Sequence, residues 1–348
     1  MIEVIKVENK KQERDFVMFP FKLYKGCDYW VPPIISEELE SMDKEKNPVF
    51  KNAEAEFYVA KKDGVTVGRI AAIVNWVEIE EQKKNKLRFG WYDTIDDLEV
   101  SKKLLESVVE FGKSRKLEFV DGPVGFSNMD KAGLLIEGYE ELNTMITWYH
   151  YTYQKEHLKK LGFTKLAEWV EYKIKIFSAD DAPEKVKKFS KIIQQRYGLK
   201  VLNFNSRKEI IPYVDKMFEL LNVTYSNLQT YVTIKQYQID FYKEKFIKYI
   251  HPDFIKCCLD KDGNLIAFLI TMPSFSRALK KINGKMGLMG YFHLFKAQHF
   301  NDRVSLYLIG VDPKYQSKGV TAVIFNELQN TFNKRGIVEV ETNPELVE

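Results

Sequence analysis

Cysteine is scarce in this chain of 348 residues: only Cys27, Cys257 and Cys258 are present. That set makes neither a disulfide framework nor a zinc-ligand pattern, so it reads as reduced thiols. Cys257 and Cys258 fall in the strand-like run Phe254-Ile-Lys-Cys-Cys-Leu and are expected to be packed. Histidine is scarce as well. His150, His157, His251, His293 and His299 show no metal-ligand spacing. No apolar run approaches the roughly 18 residues that a membrane helix needs. Charge enters too early at the N-terminus, at Glu3 and Lys6, for a secretory leader. An excess of one charge is also missing: 53 Lys and Arg against 49 Asp and Glu leave +4, too little to predict a nucleic-acid partner. These absences predict a cytoplasmic protein with no metal and no membrane partner.

What is present is an ordinary soluble balance, 45% hydrophobic and 29% charged residues, with many rings, Phe 24 and Tyr 19. The length suits two domains. The polar stretch Phe177-Ser-Ala-Asp-Asp-Ala-Pro-Glu-Lys is the expected boundary, giving domains 1–178 and 184–348.

In the first half, Ile2–Val7 reads as a strand and Lys10–Lys25 as a helix closed by Gly26. A second helix starts at Ser36, with the serine as its cap. Strands Glu54–Lys61 and Val65–Val77 are joined by a Lys62-Asp63-Gly64 turn, and Leu87–Tyr92 follows. Leu98–Lys113 has the helical period. Then come a short strand Leu117–Val120, a helix near Lys131–Ile136, a strand Met145–Tyr149, a helix Gln154–Leu161 and a strand Val170–Phe177.

The second half repeats the order. Helices are expected at Glu184–Gln195, Arg207–Tyr225 and Gln236–Tyr249, and strands at Phe254–Leu259 and Leu265–Pro273 around a Gly263 turn. After a long, partly helical connection come strand Val304–Val311, helix Val320–Lys334 stopped by Gly336, and strand Ile337–Thr342. Two mixed α/β layers, each a mixed sheet flanked by helices, are predicted.

One segment carries chemistry: Val311-Asp-Pro-Lys-Tyr-Gln-Ser-Lys-Gly-Val-Thr321. An apolar strand enters a Gly-containing turn and leaves as an amphipathic helix, so unpaired N–H groups and the helix dipole can cradle an anion. Lys314 and Lys318 add charge at its rim. An ordinary strand-to-helix turn is the bland alternative. The Gln-x-x-Gly-x-(small) spacing at this place resembles the pyrophosphate loop of the Gcn5-related N-acetyltransferase superfamily. The chain from about Glu184 onward is similar to one such fold, and the first half is similar in element order.

The resemblance implies a tandem pair of acyl-CoA N-acyltransferase-like domains and a bound acetyl-CoA or other acyl-CoA. Gln316, Ser317, Lys318, Gly319, Val320 and Thr321 would hold the diphosphate. Ile309, Gly310 and Val311, on a strand that splays from its neighbour, would pair with pantetheine. Thr321 stands where the family usually has Gly or Ala. The helix and two strands that usually follow the Ile337–Thr342 strand are missing, so that lobe is incomplete or completed from elsewhere. The equivalent turn of the first half, Tyr92-Asp-Thr-Ile-Asp-Asp-Leu-Glu, has three Asp and no Gly. It repels a diphosphate, which makes the first half a scaffold without a CoA site.

For an amine acceptor, a base is useful. Glu341 and Asn343, near the C-terminal end of their strand, are the candidates, against a reading as solvated side chains. Tyr307 is a further candidate or a core ring. Tyr225 and Asn222 line the acceptor side or cap a helix. Ser127 and Asn128, in a Gly-Pro-rich loop, contribute to an acceptor pocket between the halves or form a structural turn. The aromatic run Tyr291–Phe300 is expected to be a packed cover, or else a lid on an acyl pocket. The function this supports is acyl transfer to an unknown amine by direct attack on the thioester. A non-catalytic acyl-CoA sensor and an aminoacyl-tRNA-dependent transferase of the peptidoglycan type are the alternatives.

Overall fold

The structure, a computed structural model, describes residues 1–347 except 128, 179–183, 227, 229, 230, 248 and 249. Its chain forms two compact units, one of Met1–Glu168 with Ser276–His293, the other of Trp169–Phe275 with Leu294–Glu348.

The first unit is built on a five-stranded sheet in sequence order. Strand β1 (Ile2–Lys6) leads into α1 (Lys10–Leu23), whose start is fixed by a reciprocal Asn9–Gln12 capping box. Helix α2 (Ile35–Met42) follows. Its N-cap position is Ile34 and no side chain caps it, so Ser36 lies inside the helix instead of capping it. Strands β2 (Ala53–Lys62) and β3 (Val65–Asn75) form the expected hairpin. Asp63 and Gly64 both take positive φ, +52° and +79°, as a two-residue turn of this hand requires. Strand β4 (Lys86–Thr94), helix α3 (Leu98–Lys113) and strand β5 (Phe119–Asp121) complete the layer, with β5 parallel to β4. Asp97 caps α3, accepting from the Glu99 amide at 3.1 Å. On α3, Val100, Leu104, Leu105, Val108 and Phe111 are buried, the stripe that the helical period predicted.

Helix α4 (Thr152–Lys160) closes this unit's N-terminal stretch. Neither a helix at Lys131–Ile136 nor a strand at Met145–Tyr149 is present. Gly133 sits at φ +86° and Ala132 bridges back to Val124, which turns the chain out of helical geometry. Asn143 uses its side-chain amide on the carbonyls of Thr144 and Thr147, fixing a loop where a strand was expected.

In the second unit, Trp169–Val170 (β6) and Lys173–Lys175 (β7) replace one continuous strand. Then come α5 (Glu184–Tyr197), β8 (Lys200–Leu202), α6 (Arg207–Tyr225) and α7 (Gln236–Phe246). Strands β9 (Ile255–Leu259) and β10 (Leu265–Pro273) form a hairpin, and Cys257 and Cys258 are buried in it as expected. The long connection carries α8 (Ser276–Ile282), which belongs to the first unit, and α9 (Leu288–His299), of which the part up to His293 does. Strand β11 (Arg303–Val311), helix α10 (Val320–Arg335), strand β12 (Glu339–Glu341) and β13 (Glu345–Leu346) end the fold. Gly336, at φ +68°, ends α10.

The second sheet runs β7-β12-β11-β10-β9-β8. Its outer strand, β7, pairs antiparallel with β12 and comes from upstream in the chain. The outer edge of β12 is thus covered by Lys173–Lys175. On α10, Val320, Val323, Ile324, Leu328 and Phe332 are buried against this sheet and α5. Each such side chain contributes about 1.5–3 kcal/mol by leaving water. That burial fixes where the helix begins, and so where its free amides point.

Candidate acyl-CoA site

The geometry begins at the parting of two strands. β11 and β12 are parallel, and they pair only over Arg303–Ser305 and Glu339–Glu341. Beyond that point β11 continues to Val311 against β10 alone. On its open edge the carbonyls meet side chains instead of a strand. Asn343 Nδ2 donates to the Tyr307 carbonyl, the Tyr225 hydroxyl to Ile309 at 2.7 Å, and Gln316 Nε2 to Val311 at 3.2 Å. In an extended strand a residue's N–H lies on the same side as its carbonyl. The Ile309 and Val311 amides therefore face the open edge too.

Gly310 faces Phe268 across β10, where an added Cβ would come within 2.5 Å of the ring. Its role is thus close packing on the β10 side, and the parting itself comes from the end of the β11–β12 ladder.

The turn that follows is set by Asp312. Its carbonyl accepts from the Tyr315 and Gln316 amides at 2.7 and 3.1 Å, and its carboxylate accepts from Lys314 at 2.8 Å. The Lys318 amide bonds back to Tyr315 at 3.4 Å. Two amides of the expected cradle, those of Gln316 and Lys318, are thus consumed within the turn. Among the described residues, the amides of Ser317, Gly319, Val320 and Thr321 make no hydrogen bond in the protein. Ser317 and Gly319 both have positive φ, +58° and +79°, so the backbone curls tightly just before α10. Four open amides at a helix start are an anion cradle. The methylene face of Gly319 is packed: a Cβ there would lie 3.1–3.2 Å from Phe189 and Ile193 of α5. Lys318 stands at the rim, its ammonium 5.2 Å from the Tyr315 ring and 5.7 Å from the Tyr197 ring.

Glu341 ends β12 and is only 4% exposed, which removes the reading of a solvated surface carboxylate. It sits beside Ser305 in the parallel register. Its Oε2 accepts from Ser274 Oγ at 3.0 Å and Ser305 Oγ at 3.2 Å. A carboxylate buried on two neutral hydroxyls keeps lone pairs free for an incoming donor. Asn343 follows two residues on, and its Oδ1 is buried with no partner.

Tyr225 lies at the C-terminal end of α6 and stacks edge-on against Tyr231 at 6.0 Å. Burial raises its pKa, so at neutral pH it is a hydroxyl donor. Asn222 is spent on structure. Its Oδ1 accepts from the Tyr231 hydroxyl and the Ile234 amide, and its Nδ2 donates to the Ile234 carbonyl. Ser127 belongs to the first unit, where its hydroxyl is engaged with Asp130 and Met129 in a tight turn. Asn128 lies outside the described residues.

The first unit offers a contrast. Its β4–β5 ladder also stops after three residue pairs, but there a main-chain amide as well as side chains closes on the open edge. Val124 donates to Phe89 at 2.7 Å, Gln154 to Tyr92 at 3.2 Å and Tyr153 to Thr94 at 2.6 Å. Ser274 and Ser305 carry no signal in the sequence. Serine in a strand has no spacing of its own, and only the register brings Ser274 and Ser305 onto one carboxylate.

Among the described residues no cluster of His, Cys, Asp or Glu could hold a metal, and no helix is long and apolar enough to cross a membrane. No family model matches the chain. It is 25% identical over 343 residues to Protein YghO of Escherichia coli (strain K12), spanning 96% of this chain and 85% of that one. It is 22% identical over 325 residues to the bacterial ceramide synthase of Caulobacter vibrioides (strain NA1000 / CB15N), spanning 91% and 82%. Among solved structures, a tandem GNAT protein from the clavulanic acid biosynthesis pathway matches with a TM-score of 0.50 at 10% identity, over 99% of this chain and 90% of that one. At such identity the likeness is one of fold.

Proposed function

We propose that this chain, whose fold is that of the tandem GCN5-related N-acetyltransferases, is an acyl-CoA-dependent N-acyltransferase working from its second unit. One observation carries the reading. A strand edge left open after Ser305 leads directly into four unpartnered amides at the start of α10. An acyl-CoA is a diphosphate joined by an extended amide-bearing arm to a thioester, and this strip matches those parts in order. When bound, it would supply the activated acyl group.

The chain's own residues would do the rest. The amides of Ser317, Gly319, Val320 and Thr321 would hold the diphosphate, with Lys318 and Lys314 adding charge at the rim. The Ile309 and Val311 amides would bind the arm and polarise the acyl carbonyl. Glu341 would take the proton from the attacking amine, and the unpartnered Asn343 Oδ1 would orient its second N–H. The Tyr225 hydroxyl, held protonated by burial, would donate a hydrogen bond to the leaving sulfur, and the proton that Glu341 takes from the amine balances the one the thiolate gains. Tyr307, whose carbonyl Asn343 holds, lines the same strip. The first unit, with its β4 edge filled, would serve as scaffold.

A ceramide is an amide of a long-chain amino alcohol. The ceramide synthase relative therefore supports such an amine as the acceptor class to try first. The deciding experiment is turnover of acetyl- and long-chain acyl-CoA against a panel of amines that includes long-chain amino alcohols. Acylation of any of them, lost in Glu341→Gln, fits the reading. Binding of acyl-CoA with no acylated product across the panel would leave a sensor instead of an enzyme.

A further inference from the structure

Helix α9 was expected as a packed cover, and the structure turns its ring-bearing face outward. Leu288 is 91% exposed, Tyr291 64%, Phe292 56% and Phe295 56%, and Phe300, just past the helix end, 75%. Leu288, Phe292, Phe295 and His299 follow one another at helical spacings of four, three and four, so they form one stripe. Phe295 and His299 stack along it, 4.3 Å between ring centroids. The opposite face holds the small residue Gly290, which is buried, and Ala297. The usual amphipathic pattern is therefore inverted, with the aromatic side in solvent. Monomeric proteins rarely leave so many large apolar groups contiguous on the surface.

The surrounding charge identifies what covers this face. From Ser274 to Asn301 the sequence contains Arg277, Lys280, Lys281, Lys285 and Lys296, and no aspartate or glutamate. Lys296 lies four residues after Phe292, on the exposed stripe itself. Lys280 is held within the first unit by the Cys27 and Asp28 carbonyls, which anchors α8. The Gly284 carbonyl accepts from the Ile35 amide at 3.0 Å, and the Gly284 Cα sits so close to Phe21 and Ile35 that a Cβ would collide with both. The segment is therefore fastened just before α9. Pairing of this face with its copy on a second chain would set the same lysines, Lys285 and Lys296, against each other. An anionic lipid surface satisfies both halves of the pattern, rings in the acyl–headgroup boundary and lysines among the phosphates.

We propose that α9 is an interfacial membrane-docking helix, which seats Leu288, Phe292, Phe295 and Phe300 in the headgroup region of an anionic bilayer without crossing it. The expectation of no membrane partner came from the lack of a spanning segment, and an interfacial helix needs none. Docking does not depend on the acyl-CoA reading, and its test contains no cofactor.

The experiment is vesicle flotation of the full chain with phosphatidylcholine vesicles, with and without phosphatidylglycerol. It is run for the wild type, for Phe292→Ser/Phe295→Ser and for Lys285→Gln/Lys296→Gln. All four substituted positions are exposed, so thermal midpoints should match. The expected result is flotation with phosphatidylglycerol vesicles that weakens with salt, and a partition coefficient reduced on the order of tenfold or more by the phenylalanine pair. The lysine pair should lower binding to anionic vesicles only. Failure of the wild type to float with either vesicle, or equal flotation of the phenylalanine variant, would overturn the proposal. So would a wild-type dimer in solution that the phenylalanine variant dissolves without any vesicle binding, which would assign the face to a second copy.

Discussion

His150 is a buried histidine whose chemistry is fixed by packing. It is 1% exposed, its Nδ1 accepts from the Leu135 amide at 3.2 Å, and burial lowers its pKa to about 4. In the unfolded chain it titrates near 6.5. Above that pH neither state holds the proton. Between about 6.5 and 4 the unfolded chain takes it up and the folded chain refuses, so stability falls as pH falls and levels off below about 4. The full loss is about 3 kcal/mol. Urea midpoints measured from pH 7 to 4 should drop more steeply in the wild type than in His150→Gln, and parallel curves would contradict this account. Glu341 presents the opposite case, a buried carboxylate with spare lone pairs. In Glu341→Gln the new amide still accepts from Ser274 and Ser305, so folding and CoA binding should persist while acyl transfer falls on the order of 10²-fold or more. Unchanged turnover would reduce Glu341 to a structural role.

At the scale of the element, the start of α10 depends on Gly319. At φ +79°, with Phe189 and Ile193 of α5 3.1–3.2 Å from an added Cβ, Gly319→Ala should cost about 1–3 kcal/mol. It should also weaken CoA binding by reorienting the amides of Val320 and Thr321. A variant with wild-type stability and affinity would show that the turn does not need glycine. This element was legible in the sequence because its chemistry is local: a Gly, a helix period and an apolar strand in one run. The elements that were misread are those whose cause lies at a distance. The single strand expected over Val170–Phe177 is divided into Trp169–Val170 and Lys173–Lys175 because the two pieces pair with different strands, β13 and β12. Ser36 looks like a cap, yet the helix begins one residue earlier, at Ile35. The rings of α9 have a helical period whichever way they face, and periodicity alone cannot separate a core stripe from an exposed one. The buried state of Glu341 was equally hidden, since alternation along a three-residue strand does not tell which side is covered.

Over the whole molecule, the halves of the sequence and the compact units do not coincide. The first unit takes in Ser276–His293 from the second half of the chain, and the second unit begins at Trp169 with strands that complete its own sheet. Each sheet has antiparallel strands and one short parallel pair, β4–β5 at the edge of the first and β11–β12, flanked by β7, in the second. In the first a main-chain amide, that of Val124, bonds to β4 past the pair, and in the second side chains meet the β11 carbonyls while the amides of Ser317, Gly319, Val320 and Thr321 have no partner among the described residues. One diphosphate site per chain is therefore expected, in the second unit. A titration of the thermal midpoint with CoA, acetyl-CoA, long-chain acyl-CoA and pantetheine tests this most directly. The midpoint should rise with the three diphosphate-bearing ligands, to a single-site stoichiometry, far more than with pantetheine, and the rise should shrink in Gly319→Ala. A midpoint that no CoA species moves, or that pantetheine moves as much as CoA does, would contradict the account.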